Sequence, residues 1–129
     1  MKGLIKGDSD LIGFVKGALL CQAISSADVR AWAEHIVTQV PDGQFPPYIL
    51  DLLDFAPPYP GEIVAMIGFA TGWPDDLGSQ DALYAITYRR GIKPHDCPVS
   101  KKEAEKLLMN NPEVLAKFRE TFPWIVVSG

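Results

Sequence analysis

The sequence predicts an all-α fold of six or seven short helices in a single domain spanning residues 1–129. Three observations support this prediction. Apolar residues recur at the three- and four-residue spacing of one helix face, cap and stop signals separate these segments, and strands do not alternate with helices as in a parallel sheet. A chain of 129 residues, 47% of them hydrophobic, can bury a core without disulfides or a structural metal.

The first predicted helix lies near the N-terminus, with Asp8 or Ser9 as its cap. Its inward face is formed by Leu11, Phe14, Val15, Ala18 and Leu19. Gly13 and Gly17 each weaken this helix by about 1 kcal/mol relative to alanine. We therefore expect these glycines to allow the close approach of a neighbouring helix.

A helical hairpin is predicted between Ser25 and Phe55. Ser25 and Asp28 approximate a capping box, and residues 41–43 end the helix that follows it. The inward face of this helix is Val29, Trp32, Ala33, Ile36, Val37 and Val40. The second, shorter helix packs Tyr48, Ile49, Leu52, Leu53 and Phe55 inward. Asp51 and Asp54, three residues apart, then share its outer face, so two carboxylates project into solvent.

The segment from Ile63 to Ala70 is apolar on almost all sides. It follows a proline-rich breaker at residues 56–61, and a loop from Thr71 to Asp76 comes after it. The pattern favours a buried helix of about ten residues, although periodicity alone leaves a strand open.

Three further helices are predicted in the C-terminal half. The first runs from about Ser79 to Arg90 and stops at Gly91. Ser100 and Glu103 fit a capping box at the start of the next helix, and Asn111 with Pro112 marks the start of the last one. The apolar segment 124–127 is either a docked tail or one short strand.

The charges are distributed unevenly along the chain. Residues 31–88 contain no lysine or arginine and eight acidic residues, while the whole chain has a net charge of −4. An average chain would contain about one basic residue in ten. An acidic surface without basic residues suits a basic partner, and aromatic side chains are enriched as anchors at interfaces. The predicted partner-binding residues are Glu34, Asp51, Asp54, Tyr59, Trp73, Asp75, Asp76 and Asp81.

Catalytic and metal-binding interpretations are weaker. His95, Cys97 and the distant His35 lack the recurrent spacing of zinc ligands and supply no evident base for a cysteine nucleophile. The acidic pairs at residues 51/54 and 75/76 fall on a predicted solvent face and a loop, whereas acid–base catalysis needs a desolvated carboxyl group. We therefore predict no enzymatic activity, no catalytic residue, no metal and no cofactor.

Other classes of partner and compartment are also disfavoured. The basic residues after residue 88 are interleaved with glutamates at helix-pairing distance, so nucleic-acid binding is not predicted. No apolar run is long enough to cross a bilayer, and the N-terminus lacks the features of a signal peptide. A cytoplasmic monomer is expected, in which Cys21 is a core residue and both cysteines remain thiols.

Part of the hairpin resembles the first half of small immunity proteins of bacterial polymorphic-toxin and contact-dependent growth inhibition systems. The resemblance covers about 30 residues and is carried, in order, by Ile24, Ser25, Val29, Trp32, Pro47, Tyr48, Ile49, Asp51 and Leu52. It implies a cytoplasmic protein that binds one cognate toxin domain, often a nuclease, and blocks it without catalysis.

The sequence therefore favours an inhibitor that docks an acidic surface on the basic cleft of a toxin domain. A helical scaffold or adaptor in another complex is the main alternative. A small hydrolase that uses Cys97 with a histidine is a third and weaker one.

Overall fold

The computed structural model describes residues 3–41, 43–57, 59, 61–73 and 77–127. Within these residues the chain forms seven α-helices, and the prediction of an all-α fold with six or seven short helices is confirmed. The helices are α1 (Asp10–Leu20), α2 (Ser26–Gln39), α3 (Tyr48–Leu52), α4 (Glu62–Ile67), α5 (Leu77–Arg89), α6 (Lys101–Asn110) and α7 (Pro112–Thr121). None of them is long and apolar enough to cross a membrane.

The chain divides into two compact units. The first unit comprises Met1–Leu20 and Ile24–Trp73 and contains α1 to α4, and the second comprises Cys21–Ala23 and Pro74–Gly129 and contains α5 to α7. The assignment of residues 1–129 to a single domain stays a prediction.

The start of α2 confirms the predicted capping box. The Ser25 hydroxyl accepts a hydrogen bond from the Asp28 amide at 3.2 Å, and the Asp28 carboxylate accepts one from the Ser25 amide at 2.8 Å. Trp32, predicted to lie in the core, is 1% exposed. The hydrogen bonds of the capping box thus confirm the predicted start of α2, and the buried Trp32 confirms which face of the helix points inward.

Helix α3 inserts its apolar side into the first unit. Tyr48, Ile49, Leu52 and Phe55 are buried as predicted. The Tyr48 hydroxyl donates to the Leu4 carbonyl, and its ring meets Phe69 edge-on with 6.3 Å between centroids. One aromatic side chain therefore fixes α3 against both the N-terminal segment and the residues after α4.

The prediction that α4 is a buried helix of about ten residues is wrong. The helix spans six residues and ends at Gly68, which adopts a left-handed conformation with φ +84°. Ile63 and Ile67 are buried, but Val64 is 48% exposed and Ala65 is exposed. Glycine stops the helix because it reaches this conformation without a steric penalty, so α4 has one buried face and one open face.

Gly13 is in close contact with a loop and not with the neighbouring helix that the sequence predicted. A Cβ atom at this position would lie 2.9 Å from the Trp73 amide nitrogen and 3.1 Å from the Thr71 Cβ. The Ser9 hydroxyl, a predicted cap of α1, accepts a hydrogen bond from the Gly72 amide at 2.7 Å. These contacts hold residues 71–73 against α1.

In the second unit, α5 buries Ala82, Leu83, Ile86 and Thr87 as predicted. The boundary between α6 and α7 differs from the prediction, because the Asn111 side chain makes no capping bond to α7. Its amide nitrogen instead donates to the Leu107 carbonyl at 2.9 Å. The asparagine thus satisfies a carbonyl at the end of α6, a group that the end of a helix leaves without an intrahelical donor.

The C-terminal segment is a docked tail, and the described residues contain no strand. Ile125 and Val127 are buried, while Val126 is 91% exposed. The Arg119 guanidinium donates to the Val127 carbonyl at 3.1 Å, which holds the tail against α7. The β-branched residues of this segment pack against helices because no neighbouring strand is present to pair with them.

Candidate partner-binding face

Helices α2, α3 and α4 lie side by side in the first unit. The Arg30 guanidinium on α2 donates to the Phe55 carbonyl, just after α3, at 2.6 Å. The contact of the Tyr48 ring with Phe69 brings the start of α3 near the residues that follow α4. The solvent sides of the three helices form what we call the α2–α4 face.

Carboxylates cover much of this face. Glu34, Asp51, Asp54 and Glu62 are all exposed. Glu34 lies one turn after Arg30, on the side of α2 that reaches α3. Within the described part of the chain these four carboxylates form no ion pair, whereas Glu105 of the second unit lies 2.7 Å from Arg89. The pKa of Glu105 is accordingly lowered, chiefly by its hydrogen bond with Arg89.

The first unit, which carries the α2–α4 face, accounts for the whole net charge of the protein. The first unit has four basic and eight acidic residues, and the second has eight of each. The first unit therefore carries a net −4 and the second is neutral. The net negative charge of the first unit attracts a basic partner.

Three large apolar side chains are exposed among the carboxylates. Leu50 is 52% exposed, Tyr59 is 72% exposed and Val64 is 48% exposed. Sequence reasoning identified Tyr59 but missed Leu50 and Val64. The spacing of Leu50 to Asp54 would have placed Leu50 on the outer side of α3, whereas Val64 was assigned to the core with its whole segment.

Two further predicted binding residues, Trp73 and Asp81, do not belong to α2, α3 or α4. Trp73 is half-buried, and its ring packs edge-on against Phe14 with 4.8 Å between centroids, so it contributes to the packing of the first unit. Asp81 is half-buried on α5 of the second unit, where burial raises the pKa of its carboxyl group. Asp75 and Asp76 lie outside the described residues. Roles for these four residues in partner binding stay predictions.

The cysteine and histidine residues form no arrangement typical of catalysis in the described part of the chain. The Cys97 thiol donates to the Val99 carbonyl at 2.9 Å, and the exposed His95 is held through its backbone amide, which donates to the Gln22 side chain at 2.6 Å. His35 is exposed on α2 in the first unit. No group of three or more potential metal ligands occurs among the described residues.

Cys21 is a buried thiol, as predicted. Its sulfur lies 3.6 Å from the Gln80 carbonyl, and its own carbonyl accepts a hydrogen bond from the Thr87 hydroxyl at 2.8 Å. Burial raises the pKa of the Cys21 thiol from 9.0 to about 12. Because of this side chain, the free energy of unfolding should depend on pH in the alkaline range.

We expect the free energy of unfolding to fall as the pH rises above the ordinary thiol pKa. The unfolded state then loses the Cys21 proton while the folded state keeps it, so the folded state binds more protons and stability decreases. From about pH 8 to about pH 10, Cys21 should contribute about 1.4 kcal/mol to the loss measured by urea unfolding. Cys21→Ala should reduce the fall by this amount, whereas Cys97→Ala should not; the tyrosines Tyr48 and Tyr84, whose pKa values are also raised by burial, account for the remainder. A wild-type free energy that stays constant over this range would contradict the prediction.

Comparisons with protein-family models, with curated proteins and with solved structures found no match for this chain.

Proposed function

We propose that this protein is a non-catalytic inhibitor of the immunity class, which acts as a cytoplasmic monomer and neutralises a cognate toxin domain. The observation that carries the proposal is the α2–α4 face, where four exposed carboxylates that form no ion pair with described residues occur together with exposed apolar side chains. This combination of a charged rim and apolar side chains is characteristic of protein–protein interfaces.

The charge of this face fits a basic cleft. A toxin that cleaves nucleic acid must hold phosphate groups, and it does so with lysine and arginine side chains. Carboxylates from Glu34, Asp51 and Asp54 would be attracted to the same positions and would exclude the substrate. Such complementarity speeds association and determines which partner is chosen. Inhibition of this kind requires no reactive group on the inhibitor.

A binding and protection experiment tests the proposal. The product of the open reading frame beside this gene is purified with and without this protein. In a second experiment its expression is induced in cells, and its toxicity is measured from their growth. We expect a stable one-to-one complex in gel filtration and restored growth on co-expression. Binding without restored growth would favour the adaptor alternative, and the absence of a complex would contradict the proposed function.

A further inference from the structure

Three apolar residues of the first unit are exposed although other residues of the same region form its core. They are Leu50, Tyr59 and Val64, which we call the apolar patch. On α3 the neighbouring Ile49 and Leu52 are fully buried, and on α4 Ile63 is fully buried. Other residues of the same helices therefore form the core of the first unit. The apolar patch contributes exposed hydrophobic surface that association with a partner would bury favourably.

The three residues of the apolar patch belong to α3, to α4 and to the turn that starts α4, and α3 contacts α4. Leu50 lies in the middle of α3, and Val64 lies in the middle of α4. Tyr59 precedes α4, and its carbonyl accepts a hydrogen bond from the Glu62 amide at 3.1 Å. Tyr59 is thereby fixed to the turn that starts α4.

The surrounding charge determines what can cover the apolar patch. Asp51 follows Leu50 directly, Asp54 lies one turn beyond it, and Glu62 lies between Tyr59 and Val64. Anionic lipid surfaces and nucleic acids would be repelled by these carboxylates. A basic protein surface would be attracted, and it can also offer an apolar pocket.

We infer that the apolar patch is the affinity anchor of the interface, and that the partner presents a shallow apolar pocket bordered by lysine or arginine side chains. This inference rests on the proposed function and identifies the part of the α2–α4 face that controls dissociation. Tyr59 is the central anchor because tyrosine is enriched among the residues that dominate binding energies. Trp73 is not assigned this role, since its ring already packs against Phe14.

The test measures the binding kinetics of the neighbouring open reading frame's product by surface plasmon resonance. Tyr59→Ala and the double variant Leu50→Ser with Val64→Ser should each raise the dissociation rate at least about tenfold. Their association rates should stay within about twofold of wild type, because the charges that steer association are unchanged. The matched control replaces Met109 and Val126 of the second unit, which are 78% and 91% exposed, with serine. This control should dissociate at the wild-type rate.

The outcomes separate this inference from the proposed function. Wild-type dissociation by both patch variants would overturn the inference while the proposed function stands. No binding by the unmodified protein would overturn both. If the double variant fails to fold by circular dichroism, Tyr59→Ala decides the matter, because its side chain is 72% exposed. Equal losses in the patch variants and in the second-unit control would also contradict the inference.

Discussion

Replacing Asp51 and Asp54 together with lysine is expected to slow association with the partner at least about tenfold at low ionic strength. Both side chains are exposed and form no described ion pair, so the fold should be retained. The double replacement gives the first unit six basic and six acidic residues, which changes its net charge from −4 to zero. Stopped-flow mixing with the neighbouring open reading frame's product measures the association rate.

A matched control separates the position of the charge from its total. Glu113→Lys with Glu120→Lys produces the same change in net charge on α7 of the second unit, where both glutamates are exposed. These two replacements act in opposite directions on the α7 dipole, because Glu113 lies in its first turn and Glu120 in its last. We expect this control to associate at a rate close to that of the wild type.

Ionic strength provides a second check on the charge reversal. Screening shortens the range of electrostatic attraction to about 3 Å at 1 M salt, so the rates of the wild type and the charge-reversed variant should converge. The wild-type rate should therefore depend more strongly on salt than the variant rate does. A charge-reversed protein that binds at the wild-type rate in low salt would show that the α2–α4 face is not the docking surface.

The parts of the fold that could be predicted from the sequence are those determined within a few residues. The Ser25 and Asp28 capping box, the buried Trp32 and the stop at Gly91 each follow from hydrogen bonds or backbone preferences between near neighbours. The orientation of α3 was predicted for the same reason, since its spacing places Asp51 away from Ile49 and Leu52. The prediction that Asp54 shares this helix was wrong, because α3 ends at Leu52 and Asp54 lies in the turn after it.

The features that the sequence did not predict depend on contacts between distant residues. Gly68 ends α4 early, and which side of that short apolar helix is buried depends on α3. The segment 124–127 has β-forming residues, but it is a docked tail held by Arg119, and the described residues contain no strand that could pair with it. Trp73 is half-buried because Gly13 lets the loop carrying it approach α1.

The sequence predicted that the candidate site is acidic, but it did not predict which of the acidic residues belong to it. The absence of lysine and arginine from residues 31–88 indicated an acidic surface, and Glu34, Asp51 and Asp54 are exposed. Charge counting along the chain treats that block as one surface. In the structure Asp81 belongs to the second unit and is half-buried, so this block of sequence is divided between the two units.

Gly13→Ala is expected to lower the free energy of unfolding by about 1 to 2 kcal/mol. The added Cβ would lie 2.9 Å and 3.0 Å from the backbone nitrogen and oxygen of Trp73, atoms that cannot move away as the end of a flexible side chain can. Overpacking of this kind costs about 1 to 3 kcal/mol or more, and alanine's higher helix propensity returns only about 1 kcal/mol. Because Trp73 must shift, the change in its environment should be visible as altered tryptophan fluorescence.

Gly61→Ala is the matched control for this replacement, since it makes the same chemical change at an open position. A Cβ at Gly61 would meet nothing within 4 Å, and its φ of −61° suits any residue. Its free energy of unfolding should stay constant or rise by up to about 1 kcal/mol, because alanine restricts the unfolded chain. Urea unfolding of both variants measures the difference. A Gly13→Ala protein as stable as Gly61→Ala would show that residues 71–73 are not held against α1, and Trp73 would then be available to a partner.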